Sequence, residues 1–300
     1  MKWTTLSIAL LLVIGATHPS ALFAEHTGFS TAVNPVQQES DTTEMPVPGG
    51  LLRHPFAPLG VQGAHVLKPG KWMLAYTYGH MAMDGNLDGD RDVSIKEILK
   101  KYSVAPESMD VDMHMICAMR GLTENLTAMV MLPYSFKSMT MVMRNGTRFK
   151  GHSDGIGDLQ MSVLYSLYRT PAHQFVFSGG LSVPTGSINA RDDTPTAVNS
   201  KLGYTMQLGS GTVDLLPTLT YMGKWERIHW GAQTSGTLRL GRNDEGYRWG
   251  DRYRLTAWAG YQVYDGLIGS LRLDWQSWDN IHGQDSEFDP TKTPGKDSNL

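Results

Sequence analysis

The sequence predicts an exported all-β protein that forms an antiparallel transmembrane β-barrel of the outer-membrane type, with about 10–14 strands when complete. Three observations carry this expectation. A secretory leader opens the chain, period-two runs follow from Trp72 onward, and the links between those runs alternate long and short.

The leader has a positive Lys2, a short apolar core from Leu6 to Ala16, and Ala24 as the last residue before cleavage. That core is too short to cross a bilayer, and no later apolar run reaches the roughly 18 residues a helical span needs. Strands that alternate lipid-facing and lumen-facing residues keep the mean hydropathy near zero, and the value here is −0.27. The net charge of −3 argues against nucleic-acid binding. A single cysteine, Cys117, excludes an intrachain disulfide framework and a cysteine zinc cluster. The 8 Trp and 12 Tyr residues are enough for aromatic girdles at both membrane interfaces.

Residues 25–70 are rich in Pro, Gly, Ser and Thr and lack periodicity, so they read as a periplasmic N-terminal segment between leader 1–24 and barrel domain 71–300. Within the barrel domain, Tyr253, Leu255, Ala257, Ala259, Tyr261 and Val263 share one parity, and Arg252, Arg254, Thr256, Trp258 and Gln262 share the other. The run 267–276 repeats this, and 159–168, 174–183, 212–222 and 230–240 follow the same rule. A half-buried soluble sheet also alternates, so the links decide. They fall at 84–108 (long), 121–124 (short), 144–157 (medium), 169–173 (short), 186–204 (long), 223–229 (moderate), 241–250 (medium) and 264–266 (very short). Short periplasmic turns and long external loops give a barrel this rhythm. About nine runs are counted, and the polar tail Lys296–Leu300 lacks a closing aromatic strand, so further strands are expected beyond it.

Two phrases stand at strand ends: Gly155-Ile156-Gly157-Asp158-Leu159 opens one run and Leu181-Ser182-Val183-Pro184-Thr185-Gly186 ends the next. The pairing resembles the outer-membrane transporters of the meta-pathway of phenol degradation family, over about Leu59 to Asn280, with Gly203–Leu216 and Arg239–Trp258 included. The resemblance implies an outer-membrane barrel that passes small aromatic or hydrophobic compounds, and it supplies no catalytic residues.

Three features are candidates for chemistry. The first external link carries Asp84, Asn86, Asp88, Asp90, Asp92 and Glu97, alternate oxygen donors of the kind a calcium loop uses. Started at Asp84 the twelfth position is Ile95, and started at Asn86 the turn glycine is replaced by Arg91, so a solvated acidic loop is the competing reading. The second feature is methionine, with 12 of 17 between Met73 and Met143. Near 127–143, Met129, Met131, Met139, Met141 and Met143 share the lumen parity. In 109–120 the apolar parity would put Met109, Met113, Met115 and Met119 toward lipid and Asp110, Asp112 and His114 into the lumen. Packing, a path for apolar substrates and contact with monovalent copper all fit such a wall. The third is a basic ladder, Arg239, Arg252, Arg254 and Arg272, on the lumen parity with Asp214 and Asp274 as partners; lumen charges pair or set selectivity.

No Gly-x-Ser-x-Gly elbow occurs, and His80 and His114 lack the partner pattern of a zinc helix, so no enzyme is expected. No plug or energy-coupling box is evident. The expectation is a passive channel for small molecules, in contact with outer-membrane lipid and lipopolysaccharide; the alternative is a copper- or calcium-handling binding protein.

Overall fold

The computed structural model describes residues 2–7, 55–58, 60–88, 91–195, 197–264, 267–285 and 287. In chain order the strands are β1 (Lys2–Ser7), β2 (Trp72–Asp84), β3 (Asn86–Asp88), β4 (Arg91–Val93), β5 (Val104–Gly121), β6 (Leu126–Met143), β7 (Arg148–Ile156), β8 (Leu159–Arg169) and β9 (His173–Val183). They continue as β10 (Arg191–Thr194), β11 (Ala197–Lys201), β12 (Val213–Leu215), β13 (Thr218–Trp225), β14 (Ile228–Leu240), β15 (Tyr247–Arg248), β16 (Arg252–Tyr264), β17 (Leu267–Trp278) and β18 (His282–Gly283). One helix, α1 (Ile95–Lys101), sits in the first long link, capped by Ser94, whose side chain accepts from the Glu97 N–H.

One large antiparallel sheet runs β1-β17-β16-β14-β12-β9-β8-β6-β5-β2, with β13 beside β14 and β9 and β7 beside β6. Two pairs of strands act as single spans. β7 and β8 both pair with β6 and part at Gly157-Asp158, while β12 and β13 lie between β9 and β14 and part at Leu216-Pro217, where proline has no N–H to donate. Ten spans result among the described residues, nine of them from Trp72 onward, the number of runs read from the sequence. Of the predicted leader, only Lys2–Ser7 is described, paired antiparallel with β17; its cleavage point, residues 25–54 and the tail from 288 onward lie outside the described residues.

The sheet curls around an interior, and among the described residues its end strands β1 and β2 are not paired with each other. Gln62 donates to Met115 Sδ on β5, while a Cβ on nearby Gly60 would meet the Arg272 guanidinium of β17 at 2.1 Å. Strands near opposite ends of the sheet order thus face one short segment. Exposed Leu74, Val130, Val163, Phe177, Leu219, Leu255 and Leu273 form the outer apolar belt. Trp72, Tyr165, Tyr168, Trp225 and Tyr264 rim it on the side of the short turns, as an interfacial girdle does. Among the described residues no helix is long and apolar enough to cross a membrane.

The short links are 122–125, 170–172, 226–227 and 265–266; the opposite end carries 85–103, 184–212 and 241–251. The predicted medium link 144–157 is a correction. The turn is only 144–147, because β6 and β7 continue as a hairpin. On β7 the outward residues are Arg148, Lys150, His152 and Asp154 and the inward ones Phe149, Gly151, Ser153 and Gly155, so no apolar face marks the strand. β5 and β6 are each 18 residues, and a tilted strand needs only about 9–11 to cross the bilayer, so both stand well beyond it.

Candidate functional site: the barrel interior

The interior wall has two unlike sides. On β2, β5 and β6 the inward residues include methionines set opposite one another: Met73 faces Met119, which faces Met129, and higher up Met83 faces Met109, which faces Met139. Met109, Met119, Met131 and Met139 are all buried. This corrects the expected orientation of β5. Asp110, Asp112 and His114 point outward, and Met109, Met113, Met115 and Met119 point inward. The reasoning from lipid failed because Asp112 lies nine residues from the turn end of β5, at the outer margin of the belt, where an outward charge meets water. There Asp112 accepts from Tyr78 (2.5 Å) and contacts His80 Nδ1 (2.9 Å), and His114 Nδ1 bonds the Tyr76 hydroxyl (2.6 Å).

The other side, built by β12, β14, β16 and β17, is charged and hydrogen-bonded. Asp214, fully buried, is ion-paired to Arg239 and accepts from Thr212 Oγ1 (2.7 Å) and Ser210 Oγ (3.3 Å). Asp274 takes Arg254 Nη2 at 2.6 Å, Arg272 Nε at 2.6 Å and the Thr256 hydroxyl at 2.6 Å. Such pairing keeps buried charges tolerable. Arg252 shares the inward parity but sits exposed at the mouth, its guanidinium 5.4 Å over the Trp278 ring. On the opposite side, Lys137 Nζ is held by the Thr205 and Gln207 carbonyls at 3.0 and 2.6 Å.

Two segments enter the bore. Residues 55–58 and 60–70, read from sequence as part of a periplasmic segment, cross the interior as a strap. Trp258 Nε1 donates to the Phe56 carbonyl (3.0 Å), Gln233 Nε2 to the Gln62 carbonyl (2.7 Å), and the Leu67 N–H to Thr127 Oγ1 (2.8 Å). Ala57, Val61 and Ala64 pack on Met222 and Trp258, while Val66 and Leu67 pack on Met119, Leu164 and Val176. From the opposite end, the 184–212 link folds inward. Leu202 and Met206 pack on Met109, Val111 and Met139, and Ser153 Oγ donates to the Met206 carbonyl (2.6 Å). Tyr204 and Tyr247 stack edge to face (4.7 Å), and burial pushes both phenols up. The outer hairpin β10–β11 is tied to β7 through Asp192. The His152 N–H, and then that of Asp193, holds this carboxyl below its usual range.

The Gly-Ile-Gly-Asp-Leu and Ser-Val-Pro-Thr-Gly phrases meet at the root of that inward link. Asp158 accepts the Gly186 N–H (3.0 Å) and the Ser210 N–H (2.7 Å), and Thr185 Oγ1 donates to the Gly157 carbonyl (2.8 Å). A Cβ on Gly209 would meet the Gly186 carbonyl at 2.3 Å, so both glycines are needed for the close approach.

Two of the candidate calcium ligands, Asn86 and Glu97, are engaged by other groups. Asn86–Asp88 and Arg91–Val93 form a small ladder, Asn86 Nδ2 donates to the Pro106 carbonyl, and the Glu97 carboxylate is taken by Arg91 at 3.0 Å. Asp84 ends β2 opposite Ser108, Asp88 pairs with Arg91, Asp92 pairs with Leu87, and Asp90 lies outside the described residues. Among the described residues no three His, Cys, Asp or Glu side chains converge as a metal cage.

Sequence reading missed the strap, the inward link, Lys137 and the inward set Met73, Cys117 and Met119. The register of β5 against β6 supplies the signal: on adjacent strands Met119 lies opposite Met129 and therefore shares its face.

No curated protein matches the chain. Among solved structures, the crystal structure of an outer membrane channel from Pseudomonas putida F1 aligns with 12% identity and a TM-score of 0.48, covering 74% of this chain and 100% of that one. Residues 113–287 match the model of the family described as "Putative MetA-pathway of phenol degradation", which is more than half of the chain, and the protein belongs to that family.

Proposed function

We propose that the protein is a passive outer-membrane channel for small, largely apolar molecules, aromatic ones included, and not an enzyme. The observation that carries this reading is the two-sided bore: a methionine wall on β2, β5 and β6 faces an arginine–aspartate wall on β14, β16 and β17. Thioether side chains are flexible and polarizable and accommodate varied apolar shapes. Arg254 and Arg272 converge on the single carboxylate of Asp274, so this stretch of the wall is net positive, which favours solutes with an anionic end. The strap and the inward link narrow the path from opposite ends. Membrane contact is assigned to the apolar belt. The outward His80, Asp112 and Lys150 above it are assigned to the lipopolysaccharide headgroup layer.

Planar-bilayer conductance, together with liposome flux of benzoate against benzyl alcohol, tests this. We expect open-channel events and faster benzoate entry. Absence of both conductance and flux, in protein that still shows heat-modifiable mobility on gels, sinks the channel reading. Equal flux of the two solutes sinks only the anionic preference.

A further inference from the structure

The methionine wall contains a cluster of sulfur donors that a substrate path does not require. Met73, Met119 and Met129 stand directly opposite one another on β2, β5 and β6. Two residues up, Cys117 lies opposite Met131. Met119 and Met131 are buried, and Met73, Cys117 and Met129 pack against Met119. Directly opposed residues on one face have Cβ atoms only about 4.5–5.5 Å apart. A methionine side chain has three rotatable bonds, so adjacent thioethers can be brought onto one small ion.

The surroundings restrict which ion that is. Leu164 and Val176 form the neighbouring wall, and Val66 and Leu67 of the strap cover the cluster from the bore. The strap is fixed there: the Leu67 N–H is held by Thr127 Oγ1 (2.8 Å), and the Gly70 N–H donates to the Gly121 carbonyl (2.8 Å). Among the described residues no three His, Cys, Asp or Glu side chains converge, so a hard dication, which needs several oxygens, gains nothing here. Soft thioether and thiol donors select monovalent copper or its analogue silver. We propose that Met73, Met119 and Met129, with Cys117 and Met131, form a monovalent soft-metal site on the inner wall, roofed by the strap. The upper set, Met83, Met109 and Met139, packs with Val111, Leu202 and Met206 and has no thiol, so it serves as the internal control.

The test uses the full chain in detergent under reducing conditions. It is titrated with Cu(I) in competition with a chromophoric Cu(I) chelator, and the bound metal is read by X-ray absorption. We expect one tightly held Cu(I) per chain in an all-sulfur shell. The volume-conserving double variant Met119→Leu/Met129→Leu should weaken it by at least about tenfold, the scale on which even outer-shell changes act at metal centres. Met109→Leu/Met139→Leu should leave it unchanged. Loss of all Cu(I) to the chelator, nitrogen or oxygen scatterers in the shell, or equal affinity in wild type and the first variant overturns the proposal. Unaltered heat-modifiable mobility of both variants separates loss of the site from loss of the fold.

Discussion

Asp214 illustrates how a single side chain can hold a wall together. It is fully buried, is ion-paired to Arg239 and takes two hydroxyl donors, Thr212 and Ser210. Breaking a buried pair by removing one partner leaves an uncompensated charge and costs about 3–5 kcal/mol. We therefore predict that Asp214→Ala lowers the urea midpoint of unfolding in detergent micelles, and that Asp214→Ala/Arg239→Met recovers part of that loss. An equal loss in the double variant would show that Arg239 is not the group left stranded. Asp158 acts differently, because it holds backbone rather than charge. With its carboxylate gone, the Gly186 and Ser210 N–H groups lose their acceptor. Asp158→Ala should make the 186–210 link cleavable by added protease while the spans stay resistant; an unchanged digestion pattern would remove Asp158 from this role. Both aspartates could be picked out from sequence, Asp214 as a lumen charge and Asp158 within a family-like phrase. Arg239 is legible as a partner of Asp214, but Ser210 and Gly186 are not, since they reach the two aspartates only through the folding of a long link.

At the level of elements, the informative failure is β5. Its two faces, methionine on one and Asp110, Asp112 and His114 on the other, invite the reading that the apolar side meets lipid. Strand length overturns it, since 18 residues are more than a crossing needs and the charged part rises past the bilayer. β6 was readable because its outward parity, Val130, Leu132, Tyr134 and Phe136, is apolar along the whole crossing. The strap was illegible for another reason: it has no periodicity, because it forms no ladder with a strand and is held by scattered side-chain bonds and a backbone bond from Gly70 to Gly121. Its tightest point is Gly121, where a Cβ would lie 2.0 Å from the Lys68 carbonyl. Gly121→Ala should therefore displace the strap and raise single-channel conductance, with the spans intact by heat-modifiable mobility. Conductance equal to wild type would show that the strap does not limit the path.

For the whole molecule, the barrel class, the nine spans from Trp72 onward and the side carrying long links were legible in alternation and link length, both consequences of one sheet having lipid on one face. What fills the bore was not, because sequence periodicity reports the wall and is silent about what the wall encloses. Deleting residues 55–66 tests the enclosed part as a unit. We predict higher conductance and weaker discrimination between benzoate and benzyl alcohol, and unchanged values would assign the limiting constriction to the 184–212 link instead.

The strap has a mechanical consequence as well. It is anchored at one end to β5 and β6 through Gly70 and Leu67, and at the other to β14 and β16 through Gln62 and Phe56. A thin-walled tube under the lateral pressure of a bilayer tends to flatten, and a tie across its diameter resists that change of shape. The strap therefore resists any change of cross-section that draws β5 and β6 away from β14 and β16.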